Sequence, residues 1–114
     1  MTSKQVCRRL GITLRKLQWW CDNKVVPFSY DDRHDRQFDN GQVVAAALAK
    51  ELRDKKVPLR AVRKMVASKH KNDFLVVCRR SYLWCTRDRL IQCVGLAQGP
   101  CLVVSLQDLR RLYG

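Results

Sequence analysis

Two short amphipathic segments separated by a glycine constrain the fold of this chain more than any other feature. In "SKQVCRRL", Val6 and Leu10 lie four residues apart and form one apolar stripe, and the Thr2–Ser3 pair offers a helix cap. Gly11 can take the left-handed conformation in which many helices end. Thr13 can then cap a second helix, "LRKLQWWCDNK". This order predicts a helix-turn-helix, because two helices are joined by about three residues that contain a glycine.

The second of these segments carries two adjacent tryptophans. Its predicted buried stripe recurs at intervals of three and four residues: Leu14, Leu17 and Cys21. Neighbouring residues on a helix point about 100° apart, so Trp19 and Trp20 cannot share one face. Trp20 lies beside the stripe and is predicted to be core. Trp19 shares a flank with Arg15 and Lys16 and is predicted to lie on the surface that binds a partner.

Further elements follow from capping and turn signals. "FSYDDRHDRQF", residues 28–38, is predicted to form a strand–loop–strand excursion. Asp39 can cap a third helix that runs to about Lys56, with Gln42 in the capping-box position. Pro58 suits the first turn of a fourth helix, "PLRAVRKMVASK". The apolar positions of these two helices predict their buried faces: Val43, Val44, Ala47, Leu48, Leu52, Leu59, Val62, Met65 and Val66.

After residue 72 the pattern changes to short, β-rich apolar runs. "DFLVVC" and "YLWC" predict a hairpin, and "PCLVVS" predicts a third strand. Between them, Thr86 can cap a short helix that Gly95 is expected to end, and "LQDLRRLY" predicts a final helical turn or two. The predicted fold class is therefore mainly α with small β. We expect one domain over residues 1–72 and a ββαβα appendage over 73–114.

Positive charge dominates the composition. Lys and Arg number 23 against 10 acidic residues, a net charge of +13. Residues 1–72 carry 17 of these basic side chains against 7 acidic ones, a net of +10. A surplus of this size favours association with polyanions. No apolar run approaches the length of a membrane span and no apolar signal core follows the N-terminus, so we predict a cytoplasmic, nucleoid-associated protein without a membrane partner.

The cysteines and acidic residues show no pattern typical of a metal or catalytic site. The six cysteines contain no CxxC pair, and His34 and His70 are far apart in sequence. Most of the cysteines have apolar neighbours, which favours reduced, buried side chains over a disulfide framework. A thiol or metal sensor built from Cys78, Cys85, Cys93 and Cys101 is the alternative that this spacing leaves open. We predict no enzymatic activity, no bound cofactor and no structural metal.

Three stretches of residues 3–66, in order, resemble one protein family. "LGITLRKLQWW", "DRQFDNGQVV" and "ELRDKKVPLRAVRKMV" are similar to the helix-turn-helix, the wing exit with its following helix, and the helix pair of one group of regulators. These are the MerR-type (mercury-resistance regulator) winged helix-turn-helix transcription factors and their excisionase-like relatives. The resemblance implies four helices plus a wing, with the second helix in the major groove of DNA and the wing on the adjacent backbone.

The resemblance also implies roles for individual residues. Four positions on the second helix or its cap are expected to face the groove: Thr13, Arg15, Lys16 and Gln18. Trp19 takes a place that reaches the phosphates, Trp20 one that packs inward, and Arg36 matches the wing arginine. Tyr30 and His34, also in the wing, are further candidates for contact with the DNA backbone.

This sequence departs from the family pattern at several points. Gln18 stands where the family usually has Arg, and its amide could read adenine. The wing has no glycine at its tip and instead contains Asp31, Asp32 and Asp35. The long coiled-coil helix that dimerises typical members does not follow Val66.

The sequence therefore predicts a sequence-specific regulator of transcription that binds double-stranded DNA. The appendage is expected to mediate self-association as a homodimer or contact with another protein. Two alternatives stay open. One is an antitoxin-like or adaptor module whose working surface is the appendage, and the other is an excisionase-like architectural protein that bends DNA.

Overall fold

A computed structural model describes residues 1–68, 73–79, 81–96 and 99–114. The chain divides into two compact units. The first comprises Met1–Ser68 together with Leu112–Gly114, and the second comprises Lys69–Arg111. The architecture is mainly α-helical with two small antiparallel sheets, as the sequence predicted. None of the described helices is both long and apolar enough to cross a membrane.

The first unit opens with two helices, α1 (Ser3–Leu10) and α2 (Leu14–Asp22). Thr2 and Gln5 form a capping box at the start of α1, and Gly11 ends it with φ at 69°. The Thr13 hydroxyl caps α2 by accepting a hydrogen bond from the Lys16 backbone N–H at 3.1 Å. The helix ends two residues earlier than predicted, because Lys24 takes a left-handed φ of 59° that a helix cannot continue.

A two-stranded antiparallel sheet follows, formed by β1 (Ser29–Tyr30) and β2 (Arg36–Gln37). Ser29 pairs with Gln37 and Tyr30 with Arg36, so the predicted strand–loop–strand excursion is a short hairpin over this stretch. We call it the β1–β2 hairpin. Phe38, directly after β2, is almost fully buried and fixes the hairpin to the core of the first unit.

Two further helices complete this unit, α3 (Asn40–Asp54) and α4 (Leu59–Ala67). Asp39 and Gln42 form the predicted capping box at the start of α3. The helix ends at Asp54 rather than near Lys56, whose φ of 64° begins the turn into α4. Pro58 occupies the N-cap of α4, one position before the first turn in which it was predicted.

The core of the first unit is built mainly by apolar side chains of all four helices. Its most deeply buried members include Val6, Leu17, Val25, Val26, Phe38, Val43, Leu48, Leu52 and Val62. Two predictions of the buried stripes were wrong. Leu14 is 37% exposed, because it is the first residue of α2, and Leu59, at the same place in α4, is only partly buried.

The second unit contains a three-stranded antiparallel sheet of order β4-β3-β5. Its elements are β3 (Phe74–Val77), β4 (Tyr82–Cys85), a 3-10 turn (Arg87–Arg89), α5 (Leu90–Leu96), β5 (Leu102–Ser105) and α6 (Leu106–Tyr113). This is the predicted order of elements, with two differences. Thr86 makes no side-chain cap, and α5 runs through Gly95 rather than ending there.

Candidate nucleic-acid interface

The outer face of α2 presents the polar and basic side chains on which the DNA-binding hypothesis depends. The exposed residues of this face and its cap are Thr13, Arg15, Lys16, Gln18 and Trp19. Leu17, Trp20 and Cys21 lie on the opposite side and are buried, with 1%, 2% and 4% of their surface exposed. The helical repeat therefore separates an anchoring face from a face available to a partner.

The two adjacent tryptophans divide as the sequence analysis predicted. Trp20 is 2% exposed and Trp19 is 48% exposed. Lys16 connects the two faces, since its Nζ lies 5.3 Å from the centroid of the Trp20 ring. This cation–π contact directs the ammonium group across the helix while the side chain stays at the surface.

The predicted site residues lie in two separate concave surfaces on either side of α2. Four of them lie on one side, together with Trp20, Arg53 and Leu59: Thr13, Arg15, Lys16 and Trp19. We call this surface the basic flank, because its charged members, Arg15, Lys16 and Arg53, are all cationic. Within the described parts of the chain, neither Arg15 nor Lys16 forms an ion pair.

Arg53 was not among the predicted site residues, although it belongs to the basic flank. It lies in the last turn of α3, and its guanidinium donates a 2.8 Å hydrogen bond to the carbonyl of Val57. That contact holds the side chain across the α3–α4 connection. The sequence indicates that Arg53 lies near the end of α3. It does not indicate that Arg53 lies next to α2, because that proximity depends on how the two helices pack.

The other surface, the hairpin flank, lies between α2 and the β1–β2 hairpin. It contains the remaining predicted site residues: Gln18, Tyr30, His34 and Arg36. Its lining also includes three carboxylates and two further basic residues: Asp22, Asp31, Asp35, Lys4 and Arg33. Positive and negative side chains therefore balance on this side of the helix, whereas they do not on the basic flank.

Arg36 joins the hairpin to α2. Its guanidinium forms a salt bridge with Asp22 and donates a 3.4 Å hydrogen bond to the carbonyl of Gln18. It also lies 4.9 Å from the centroid of the Phe28 ring. Burial acts to lower the pKa of Arg36, but the hydrogen bond and charge of Asp22 outweigh it and raise the pKa. The predicted wing arginine is thus already engaged within the protein.

The tip of the hairpin is organised by Asp31 rather than by a glycine. Its carboxylate accepts hydrogen bonds from the backbone N–H groups of Asp35 and Arg33, at 2.8 and 2.9 Å. The bonds from Asp35 and Arg33, with a longer one from the Gln37 amide, lower the pKa of Asp31. His34 takes a positive φ of 65° and stacks on Tyr30 with ring centroids 4.1 Å apart.

No metal site accompanies these surfaces in the described residues. Among the described ranges, no three His, Cys, Asp or Glu side chains are grouped in a way that could hold a metal ion. The basic flank is therefore lined by cationic, hydroxyl and aromatic side chains, whereas the hairpin flank also contains carboxylates.

The family comparison agrees with this arrangement. A family model described as "MerR HTH family regulatory protein" matches residues 1–69, which is more than half of the chain. The chain therefore belongs to the MerR helix-turn-helix regulatory family, and the resemblance noted over residues 3–66 is confirmed. No curated protein was found to match it. Membership places the chain in a non-enzymatic family of DNA-binding transcription regulators.

Proposed function

We propose that the first unit binds double-stranded DNA in a sequence-specific way, with α2 in the major groove. The observation that carries the proposal is the split of α2 into an anchored face and an exposed basic and amide face. An α-helix fits the width of the major groove, and its N-terminal residues are well placed to reach base edges. The partial positive charge at the start of α2 adds attraction to phosphate.

Each exposed residue of α2 and its cap has a role in this proposal. Arg15 and Lys16 supply cationic donors to phosphates, and Thr13 adds a hydroxyl at the helix start. Gln18 has an amide that can pair with the N6 and N7 atoms of adenine. The Trp19 indole N–H donates to a phosphate oxygen at the edge of the groove.

The β1–β2 hairpin takes the part of a wing in this proposal. Tyr30, His34 and Arg36 approach the DNA backbone, and the winged helix-turn-helix description applies to residues 3–66 as a whole. Because Asp22 already holds Arg36, we propose that this arginine mainly fixes the angle between hairpin and α2. Asp31 orders the tip in the same way, so the hairpin contributes shape more than charge.

The experiment is selection of bound duplexes from a random pool, followed by measurement of affinity by fluorescence anisotropy. The wild-type protein is expected to enrich a defined sequence. Arg15→Ala combined with Lys16→Ala should weaken binding to that sequence at least about tenfold. Arg87→Ala with Arg89→Ala removes the same charge from the second unit and is the matched control. Equal losses in both double variants, or no enrichment of any sequence, would contradict the proposal.

We further propose that residues 73–114 associate with a second copy of the chain, which would place two recognition helices on a repeated half-site. Exposed apolar side chains support this: Ile91 is 86% exposed, Leu96 80% and Leu83 50%. Mass measurement in solution at two concentrations should show a dimer that Ile91→Asp weakens. A monomer at every concentration would exclude it.

The remaining alternatives differ in what such measurements would return. An antitoxin-like or adaptor module would bind one protein stoichiometrically and DNA only without sequence preference. An excisionase-like architectural protein would bind cooperatively and change the bend angle of the duplex. The regulator proposed here should protect one defined stretch of DNA in a footprinting experiment. We propose that it is located in the cytoplasm, at the nucleoid.

A further inference from the structure

Four cysteines of the second unit gather on one face of its sheet. The thiol cluster comprises Cys78, Cys85, Cys93 and Cys101, and all four are free thiols. Phe74, Val76 and Cys85 form a small buried core, against which the other three cysteines pack with Leu90. Four thiols spread over 24 positions of the sequence are thus collected by the fold into a single site.

The strand register explains this grouping. Phe74 is paired with Cys85, and alternate residues of β3 share its face, so Val76 and Cys78 point the same way. Val77 is paired with Leu102 of β5, which brings the adjoining Cys78 and Cys101 side by side at the end of the ladder. The helix α5 then supplies Cys93 over the same face.

Within the cluster, Cys93 packs against the small buried group that contains Cys85. The two cysteines differ in access to solvent, since Cys85 is 3% exposed and Cys93 is only partly buried. Burial raises the pKa of Cys85, and the neighbouring Cys93 raises it further. Cys85 is therefore a protonated, enclosed thiol, whereas Cys93 is the member of the pair that a small solute can reach.

We propose that Cys85 and Cys93 are an oxidisable thiol pair, which hydrogen peroxide converts to a disulfide between β4 and α5. The Cys93 thiol loses its proton and attacks one peroxide oxygen, the O–O bond breaks, Cys93 sulfenic acid forms, and the released hydroxide takes up the proton to become water. The Cys85 sulfur then displaces the sulfenic oxygen, so the S–S bond forms and water leaves with the Cys85 proton. In total, two thiols are oxidised and one peroxide is reduced to two waters.

The two cysteines of the first unit provide an internal reference. Cys7 is 9% exposed and Cys21 4%, and burial raises the pKa of both thiols. Neither is accessible as a thiolate at neutral pH. Peroxide is therefore expected to spare them, and modification should be confined to the second unit.

The test is peroxide treatment of the full chain, followed by alkylation under denaturing conditions and mass spectrometry of tryptic peptides. Two of the six thiols should become resistant to alkylation, with the loss of two hydrogens, and dithiothreitol should restore them. Trypsin leaves Cys85 in "SYLWCTR", whereas Cys93 and Cys101 share the peptide 90–110. The expected product links these two peptides.

Two variants assign the link within the shared peptide. Cys101→Ser is the matched control from the same cluster and should retain the linked product, whereas Cys93→Ser should abolish it and leave Cys85 alkylatable. The wild-type digest stands independently of how the variants fold. Six alkylatable thiols after treatment, a link through Cys78 or Cys101, or Cys93 sulfinic acid beside an unmodified Cys85 would overturn the proposal.

Discussion

The two flanks of α2 differ in charge: the basic flank is cationic, whereas positive and negative side chains balance on the hairpin flank. On the basic flank, Arg15 and Lys16 lie beside Arg53 with no carboxylate among the described lining residues. On the hairpin flank, Arg36 is paired with Asp22, and Asp31 and Asp35 line the same surface. The predicted DNA contacts therefore include Arg15 and Lys16, which no described carboxylate pairs, and Arg36, which Asp22 already pairs.

The difference indicates which side chains can exchange their present contacts for contacts with DNA at a small loss of free energy. A solvated lysine or arginine gains phosphate contacts and releases counterions when it binds. Arg36 would have to give up its salt bridge and its hydrogen bond to the Gln18 carbonyl to do the same. We therefore expect the basic flank to dominate affinity and the hairpin flank to set geometry.

The largest expected effect is on stability and concerns the buried face of α2, which supports both flanks. Trp20→Ala should lower the free energy of unfolding by about 3–5 kcal/mol, because it removes a nearly fully buried aromatic side chain. Trp19→Ala, the matched control one residue away, should lower it by less than about 1 kcal/mol. Urea unfolding followed by circular dichroism measures both. Similar losses in the two variants would mean that α2 is rotated from the orientation described.

A second effect of the buried side is a loss of stability at alkaline pH. Burial raises the pKa of Cys21 to about 11, which the charge of Arg36 opposes and that of Asp22 assists. Its folded-state pKa lies above the unfolded value, so its stabilising contribution is complete below about pH 9 and is lost as pH rises toward 11. The loss is on the order of 2 kcal/mol by pH 11.

Urea unfolding at several pH values between 8 and 11, under reducing conditions, measures this loss. The Cys21→Ala variant should show a shallower decline than the wild type, since the other ionising thiols are unchanged. Parallel declines in the two proteins would show that Cys21 ionises equally in both states.

A smaller effect on DNA affinity should distinguish two roles of Trp19: hydrogen-bond donation by its indole N–H and packing of its aromatic ring. Trp19→Phe keeps an aromatic side chain and removes the indole N–H. We expect DNA affinity to fall by about 0.5–1.5 kcal/mol with no change in unfolding free energy. Anisotropy titration on the selected duplex gives the value, and an unchanged affinity would assign Trp19 a packing role alone.

The smallest expected effect lies on the hairpin flank. A double-mutant cycle of Asp22→Asn and Arg36→Gln should give a coupling in unfolding free energy of about 0.2–1 kcal/mol, as for other exposed ion pairs. Asp22→Asn should bind DNA slightly more weakly than wild type, because loss of the salt bridge with Arg36 loosens the hairpin against α2. Equal or tighter binding by this variant would show that the charge of a released Arg36 matters more than the hairpin angle.

Much of the first unit could be predicted because its signals are local. Thr2, Gly11 and Asp39 mark helix boundaries through their own hydrogen bonds and backbone angles, and the angular separation of Trp19 and Trp20 follows from helix geometry. The exposure of Leu14 could not be predicted in this way. The periodicity of apolar residues predicts which side of a helix faces the core. It does not predict how far along the helix neighbouring elements cover that side.

The electrostatic state of the candidate site was not predictable from the sequence. The salt bridge between Asp22 and Arg36 joins residues fourteen positions apart, and Arg53 reaches the basic flank from another helix. Both depend on how the hairpin and α3 pack against α2. In the second unit, α5 continues through Gly95. A glycine ends a helix only where the backbone also leaves the helical conformation.

The salt dependence of DNA binding tests the division between the flanks most directly. Each phosphate that a cationic side chain neutralises contributes roughly 0.9 to the slope of log K against log salt, so combining Arg15→Ala with Lys16→Ala should reduce the magnitude of that slope by about 2. Arg36→Ala should leave the slope within error of the wild type. A reduced slope for Arg36→Ala, with an unchanged slope for the double variant, would contradict the assignment of DNA-binding charge to the basic flank.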